Sequence, residues 1–252
     1  MKTHPKILIL CASLFASAFS LAFGQGTLIV QHSGATDPAT EGFSLSDLSG
    51  GSVGPVTNDL GMNAWATDIP QRGFVGYIDS LTPLQQSETV GANWILSATL
   101  RDLQSGVLPN TFIELTASDT YYMYIGSEIN GDPYVNGSRS NPVFVLNGGG
   151  GGYHNFQLVY SAATTEVSLW VDGVDQILDF FQTPATGISQ IEFGEGQGGY
   201  SSDNWSSVSL EIVPEPSAMS LLFLGGGFLI IYVRNRNKCS RRQSHSSYEI
   251  TP

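Results

Sequence analysis

Between its two ends this 252-residue chain has no cysteine; Cys11 and Cys239 both sit close to a terminus. No disulfide can staple the middle of the chain. Neither a cysteine nucleophile nor a thiolate metal site can operate there, so an apolar core has to carry the fold. Basic residues are nearly as scarce. From Gly26 to Pro216 only Arg72, Arg101 and Arg139 oppose 21 acidic residues, a net charge of −18. Such a surface repels nucleic acid and anionic lipid and excludes both as partners of this segment; it suits solubility, divalent cations or a neutral polymer. Histidine is limited to His32 and His154 in the same span, too few for a zinc cluster. The five glycines Gly148 to Gly152 lack the Lys-Ser/Thr of a phosphate-binding loop and read as a flexible connector. No Gly-x-Ser-x-Gly or Ser-His-Asp spacing is legible.

The ends are where the long apolar runs lie. Lys2 and Lys6 precede an almost unbroken apolar stretch from Ile7 to Phe23, and Ala22-Phe23-Gly24 offers small residues at both positions that a signal peptidase reads. Residues 1–24 are expected to be a signal peptide, cut between Gly24 and Gln25. Leu10 before Cys11 makes a poor lipoprotein site. At the other end, Ser217 to Val233 is a 17-residue stretch without a charge. At 1.5 Å per residue a helix of this length spans about 26 Å, against a hydrocarbon core of about 30 Å. It is apolar all round, unlike a core helix with one polar face. Arg234, Arg236, Lys238, Arg241 and Arg242 follow at once. Basic residues beside a membrane helix stay on the cytoplasmic side, which places residues 25–213 outside.

The order Val213-Pro214-Glu215-Pro216-Ser217-Ala218, apolar helix, Arg234-Asn235-Arg236 closely resembles the PEP-CTERM sorting signal of Gram-negative bacteria. By itself a Pro-Glu-Pro is a stiff linker; its place before a helix and a basic cluster makes the likeness specific. The resemblance implies a sorting signal over residues 214–242, with Pro214, Glu215 and Pro216 as its motif, and an exosortase as the partner that cuts near them. It also implies an exported protein that passes through an inner-membrane-anchored intermediate to the cell surface or the biofilm matrix, in company with exopolysaccharide. A polar tail, 243–252, runs on past the point where such signals usually stop.

From Gly26 to Val213 the pattern is β throughout, with short alternating runs between Gly, Pro, Asn, Asp and Ser clusters and no helix-length periodic segment. Strands are expected at 27–31, 74–78, 94–100, 112–115, 121–125, 143–146, 174–178, 188–193 and 205–212. The clearest local unit is a hairpin in which Phe156, Leu158 and Tyr160 alternate with polar neighbours, Ser161 to Thr165 turn, and Val167, Leu169 and Val171 return. Asp172-Gly173 supplies a second tight turn of the kind that needs positive φ. So many short strands in one domain predict an all-β, two-sheet antiparallel jelly-roll sandwich more readily than a closed barrel. The stretches 153–160 and 166–173, with Ile191-Glu192-Phe193-Gly194, resemble the concanavalin A-like lectin/glucanase fold in its laminin G-like branch. That likeness implies a surface-polymer or carbohydrate-binding module and room for a calcium ion on loop acids such as Asp37 to Glu41, Asp119 or Asp203-Asn204. No regular calcium-loop spacing assigns a ligand, and no other cofactor is expected.

Glucanases of this fold carry their acids two residues apart on one strand, so that both enter the same cleft. No Glu-x-Asp-x-Glu occurs. Glu192 and Glu195, three apart, fall on opposite faces and, with Asp172 and Asp175, read as solvated loop and edge charges. The chain is therefore expected to be no enzyme. A ligand-binding role rests instead on aromatic rings that stack on sugars, for which Trp65, Tyr121, Tyr122, Tyr124, Tyr134 and Tyr200 are candidates. Binding predicts an aromatic patch on one sheet. A purely structural surface protein predicts a polar, featureless face, and a glycoside hydrolase requires two converging carboxylates.

Overall fold

A computed structural model describes residues 26–70, 73–104, 110–137, 144–177, 182–185, 187–196 and 200–214. The signal peptide and its cut after Gly24, Glu215 and Pro216, the apolar segment 217–233, the basic cluster and the polar tail lie outside the described residues. Within them no helix is long and apolar enough to cross a membrane.

The strands in chain order are β1 (Thr27–Ser33), β2 (Ser44–Ser49), β3 (Ser52–Asp59), β4 (Met62–Ile69), β5 (Phe74–Ser80), β6 (Asn93–Asp102), β7 (Thr111–Thr116), β8 (Asp119–Ser127), β9 (Pro133–Asn136), β10 (Phe144–Val145), β11 (His154–Ser161), β12 (Glu166–Val171), β13 (Val174–Ile177), β14 (Gln182–Pro184), β15 (Gln190–Glu195) and β16 (Ser201–Val213). They form two antiparallel sheets. The first runs β13-β12-β11-β6-β16-β4-β3, the second β10-β9-β8-β7-β15-β5-β2, with β14 added beside β8. The 13-residue β16 is the seam of the first sheet. One flank pairs with β6, with a register shift between Trp205 and Ser207; the other takes β4 against Ser201–Trp205 and β1 against Ser207–Ile212.

Period-two alternation builds the core. Trp94, Leu96, Ala98 and Leu100 of β6 and Phe156 and Leu158 of β11 point inward from the first sheet. Ile113, Leu115, Met123, Ile125, Ile191 and Phe193 meet them from the second. Fully buried Trp205 keeps its indole N–H satisfied by Thr67 Oγ1 at 2.9 Å. The expected hairpin is present: β11 and β12 pair from Phe156–Val171 to Ser161–Glu166, and Asp172 and Gly173 take φ of 51° and 76° at the next turn.

Two features depart from the sequence reading. A nine-residue helix, α1 (Pro83–Gly91), stands between β5 and β6. It is too short to show periodicity, but its start was written in the chain. Thr82 caps it reciprocally with Gln85, and Pro83 occupies the first turn. Second, Glu195 is no solvated edge charge. It stands in phase with Ile191 and Phe193, so the pleat carries it into the core, where it is fully buried.

There it belongs to a polar layer at one end of the sandwich. Thr67, Asp203 and Asp102 lie side by side across β4, β16 and β6, and Glu195 and Thr111 lie opposite each other on β15 and β7. Thr67 donates to Glu195 Oε1 and Thr111 to Asp203 Oδ2. The other two oxygens, Glu195 Oε2 and Asp203 Oδ1, are buried with no other partner. The two carboxyls are close enough to act on each other, and two buried carboxylates side by side favour a proton on one of them. Burial, followed by the Glu195 and Asp102 charges, holds the Asp203 carboxyl well above the usual range. Burial pushes Glu195 up to about 7 and Asp102 up to about 6.

A carboxyl whose folded pKa is raised stabilises fully only below its unfolded value of about 4, and that contribution is lost as pH climbs through the folded pKa. The melting temperature is therefore expected to fall between pH 5 and pH 7.5 and the slope to flatten in Glu195→Gln. Thermal melts across this range check it; an unchanged slope in the variant would show that the pair carries no proton.

Candidate functional site

The same alternation that buries Glu195 sends Glu192 and Gly194 to the outer face of the second sheet. There the register draws together residues remote in sequence. Glu192 lies opposite Glu114 of β7 on one side and Ile78 of β5 on the other, and Glu114 lies opposite Tyr122 of β8. In the next row Gly194 stands between Gly76 and Phe112, and Phe112 faces Tyr124. Directly opposed residues have Cβ atoms about 5 Å apart, so the two glutamates are immediate neighbours on one surface.

The aromatic rings form a continuous file. Tyr122 and Tyr124 meet edge to face with centroids 5.5 Å apart, Tyr124 and Phe112 lie 6.5 Å apart, and Phe112 and Phe74 lie 5.7 Å apart. From β5 to β8 the file crosses four strands, a width of about 14 Å. Glycine makes this possible. Gly194 has φ of 150°, and a Cβ there would stand 2.0 Å from Val75 O; one on Gly76 would stand 2.5 Å from the Phe74 ring. Bare Gly194 lets the backbones of β15 and β5 approach, and bare Gly76 leaves room for the Phe74 ring, which meets Phe112 across β15.

The glutamates are half-buried and hydrogen-bonded. Thr116 Oγ1 donates to Glu114 Oε1 at 3.0 Å, and Gln190 Nε2 to Glu192 Oε2 at 3.4 Å. Burial raises the Glu114 carboxyl. Burial first, and the Glu114 charge second, push Glu192 up to about 7. Oxygens of this kind accept hydrogen bonds from hydroxyl groups, and the half-buried rings of Phe74, Tyr122 and Tyr124 offer apolar surface beside them, while Phe112, only 7% exposed, packs between Phe74 and Tyr124 and supports the file.

Of the stacking candidates, Tyr122 and Tyr124 are the pair on this face. Trp65 and Tyr121 are core residues, 8% and 2% exposed. The Trp65 indole donates to Tyr77 Oη at 3.0 Å, and Tyr121 packs against Trp94. Their strand positions fall on the inward phase. Tyr134 is buried with its ring against Gly126. Tyr200 is exposed but stacks on no other ring among the described residues. The sequence reading missed Phe74, Phe112, Glu114 and Glu192 as members of one site; only their even spacing from Tyr122 and Tyr124 along paired strands signals it.

Of the loop acids considered for calcium, Asp37, Glu41 and Asp203 have protein partners. Asp37 caps a 3-10 turn at Pro38–Thr40, Glu41 accepts from Ser33 N and His32, and Asn204 donates to Asp59. Among the described residues no group of three or more His, Cys, Asp or Glu could hold a metal ion. The glycine run is a fixed loop and not the flexible connector expected. Gly148 N and Gly150 N donate to the Asp132 carboxylate at 2.9 and 3.0 Å, which holds that group below its ordinary range, and Gly151 O accepts from Arg101.

If the two glutamates are neighbours, Glu114→Gln lowers the pKa of Glu192 from its value of about 7 by removing the adjacent charge. Carboxyl-carbon NMR titration of Glu192 reads this directly; no movement would mean that the side chains diverge.

No protein-family model matches the chain, and neither does any curated protein sequence. Solved structures do resemble it. The carbohydrate esterase of Shiga toxin-encoding bacteriophage phi24B is similar with a TM-score of 0.59 and 12% identity, over 75% of this chain and 99% of that one. Domain 4 of AbnA, an extracellular arabinanase of Geobacillus stearothermophilus in complex with arabinotriose, is similar with a TM-score of 0.44 and 11% identity, over 79% and 99%. The first is a likeness of fold, a two-sheet β-sandwich; the second is looser.

Proposed function

We propose that the protein is an exported surface or matrix protein whose sandwich binds extracellular polysaccharide, without catalysis, through the outer face of its second sheet. The observation that carries the reading is the file Phe74–Phe112–Tyr124–Tyr122 beside the Glu114–Glu192 row. A featureless structural surface has no use for four rings gathered over two bare glycines. The Pro-Glu-Pro, apolar segment and arginine cluster support export by the secretion machinery, signal peptidase cleavage, anchoring by the C-terminal helix in the inner membrane of a Gram-negative bacterium, and release or transfer by an exosortase.

Two measurements test these parts. Tyr124→Ala is expected to weaken retention by a polysaccharide at least about tenfold, the loss of roughly 1.4 kcal/mol of stacking, with the melting temperature nearly unchanged. Equal retention of variant and parent removes the binding face. For sorting, intact mass in a strain with an exosortase and in the same strain without it should show loss of the C-terminal segment only in the first. A segment kept in both strains leaves a single-span membrane protein.

One observation favours a second reading, glycoside hydrolysis: Glu114 and Glu192 oppose each other in the register, which sets two carboxylates side by side on one surface, the kind of pair that retaining enzymes use. Release of reducing ends that stops in Glu192→Gln would establish it in place of plain binding.

A further inference from the structure

Cations are nearly absent where this sandwich meets solvent. No lysine and three arginines occur between Gly26 and Val213, and Arg101 is held by Asp59 at 2.5 Å and by Gly151 O on the first sheet. On the outer face of the second sheet the described charges beside the aromatic file are both negative. Glu114 and Glu192 sit directly opposed, with Thr116 and Gln190 donating to them. The Ser46 hydroxyl itself donates to Gly76 O at 2.9 Å, and the bonds from Thr116 and Gln190 leave acceptor capacity on both carboxylates, since each ionised group has about four lone-pair sites. A ligand lying along Tyr122 and Tyr124 must bring its polar edge past this row.

We propose that the Glu114–Glu192 row is the specificity determinant of the face: it takes an uncharged, hydroxyl-rich chain, whose hydroxyls donate to the two carboxylates, and turns away chains that carry carboxylate or sulfate. This rests on the polysaccharide-binding reading above. Hydroxyls are donors that a carboxylate can use without a counter-charge. An acidic sugar brings a like charge against two neighbouring negative groups, with no described cation on that face to offset it.

The test uses the full-length chain in non-ionic detergent at pH 8, with affinity electrophoresis through gels containing a soluble glucan, a galactomannan, an arabinan or polygalacturonate. The parent chain is expected to be retarded by at least one neutral polymer and at least tenfold less by polygalacturonate. The double variant Glu114→Gln/Glu192→Gln, which removes both carboxylate acceptors, should weaken neutral-polymer retardation and lose most of the discrimination against polygalacturonate. A charge-matched control on the first sheet, Glu166→Gln/Asp175→Asn, should keep it. Circular dichroism confirms folding, and the two single glutamine variants stand in if the double variant unfolds. Equal retardation of the parent by neutral and acidic polymers, or unchanged discrimination in the glutamine variants, overturns the specificity role and leaves polysaccharide binding standing. Absence of retardation by every neutral polymer overturns both.

Discussion

The second sheet depends on the register of β15 between β5 and β7. Gln190 to Glu195 pairs with both neighbours without a break, and the pleat divides its side chains in two. Ile191, Phe193 and Glu195 enter the core; Gln190, Glu192 and Gly194 face outward. A slip of one residue would exchange the sets, placing Glu192 in the apolar layer and Phe193 in solvent. Phe193 fixes the register most firmly, because its ring packs against Tyr77, Phe43, His32 and Trp205 at centroid distances of 5.0 to 5.5 Å. The outer face is thus assembled by a residue that never reaches it.

An acidic chain with few cations must settle its partly buried carboxylates by other means, and three appear. Asp59 has Arg101, aided by hydrogen bonds from Asn204 and Tyr153 that outweigh the effect of burial and hold it below the carboxylate range. Asp132 takes backbone N–H groups of the glycine run, a local substitute for positive charge. Glu195 and Asp203 use a proton. The last choice keeps two neighbouring carboxyls from both carrying charge in the layer between the sheets, and burial supplies that condition. A lysine at the same place would bring a long side chain and a desolvated charge into the layer beside Trp205.

The fold was largely legible in the sequence, since hairpin alternation and the Asp172-Gly173 turn are local signals. β3 and β4 were not, because runs such as Ser52–Asp59 lack an alternating apolar set, and α1 was hidden by its nine residues. The site was harder still. Glu114 and Glu192 belong to strands far apart in the chain, and a search for acids two apart on one strand cannot find a pair made by neighbouring strands. Parity correctly separated Glu192 from Glu195, but it could not tell which side was the core. The same ambiguity placed Tyr121 beside Tyr122 and Tyr124 as an equal candidate, although Met123 and Ile125, equally buried, share its phase.

Stacking of a few rings against a sugar gives a weak site, of order 1 kcal/mol for each good contact. In the proposed role that weakness is compatible with firm attachment. A polysaccharide repeats the same ring many times, and copies fixed at a surface present the same file many times, so each additional contact forms at high effective concentration. Avidity then resides in the array while each contact stays exchangeable. Discrimination is multiplied in the same way: a modest electrostatic penalty at one Glu114–Glu192 row recurs at every engaged copy, and an acidic polymer meets it as often as a neutral one meets the rings.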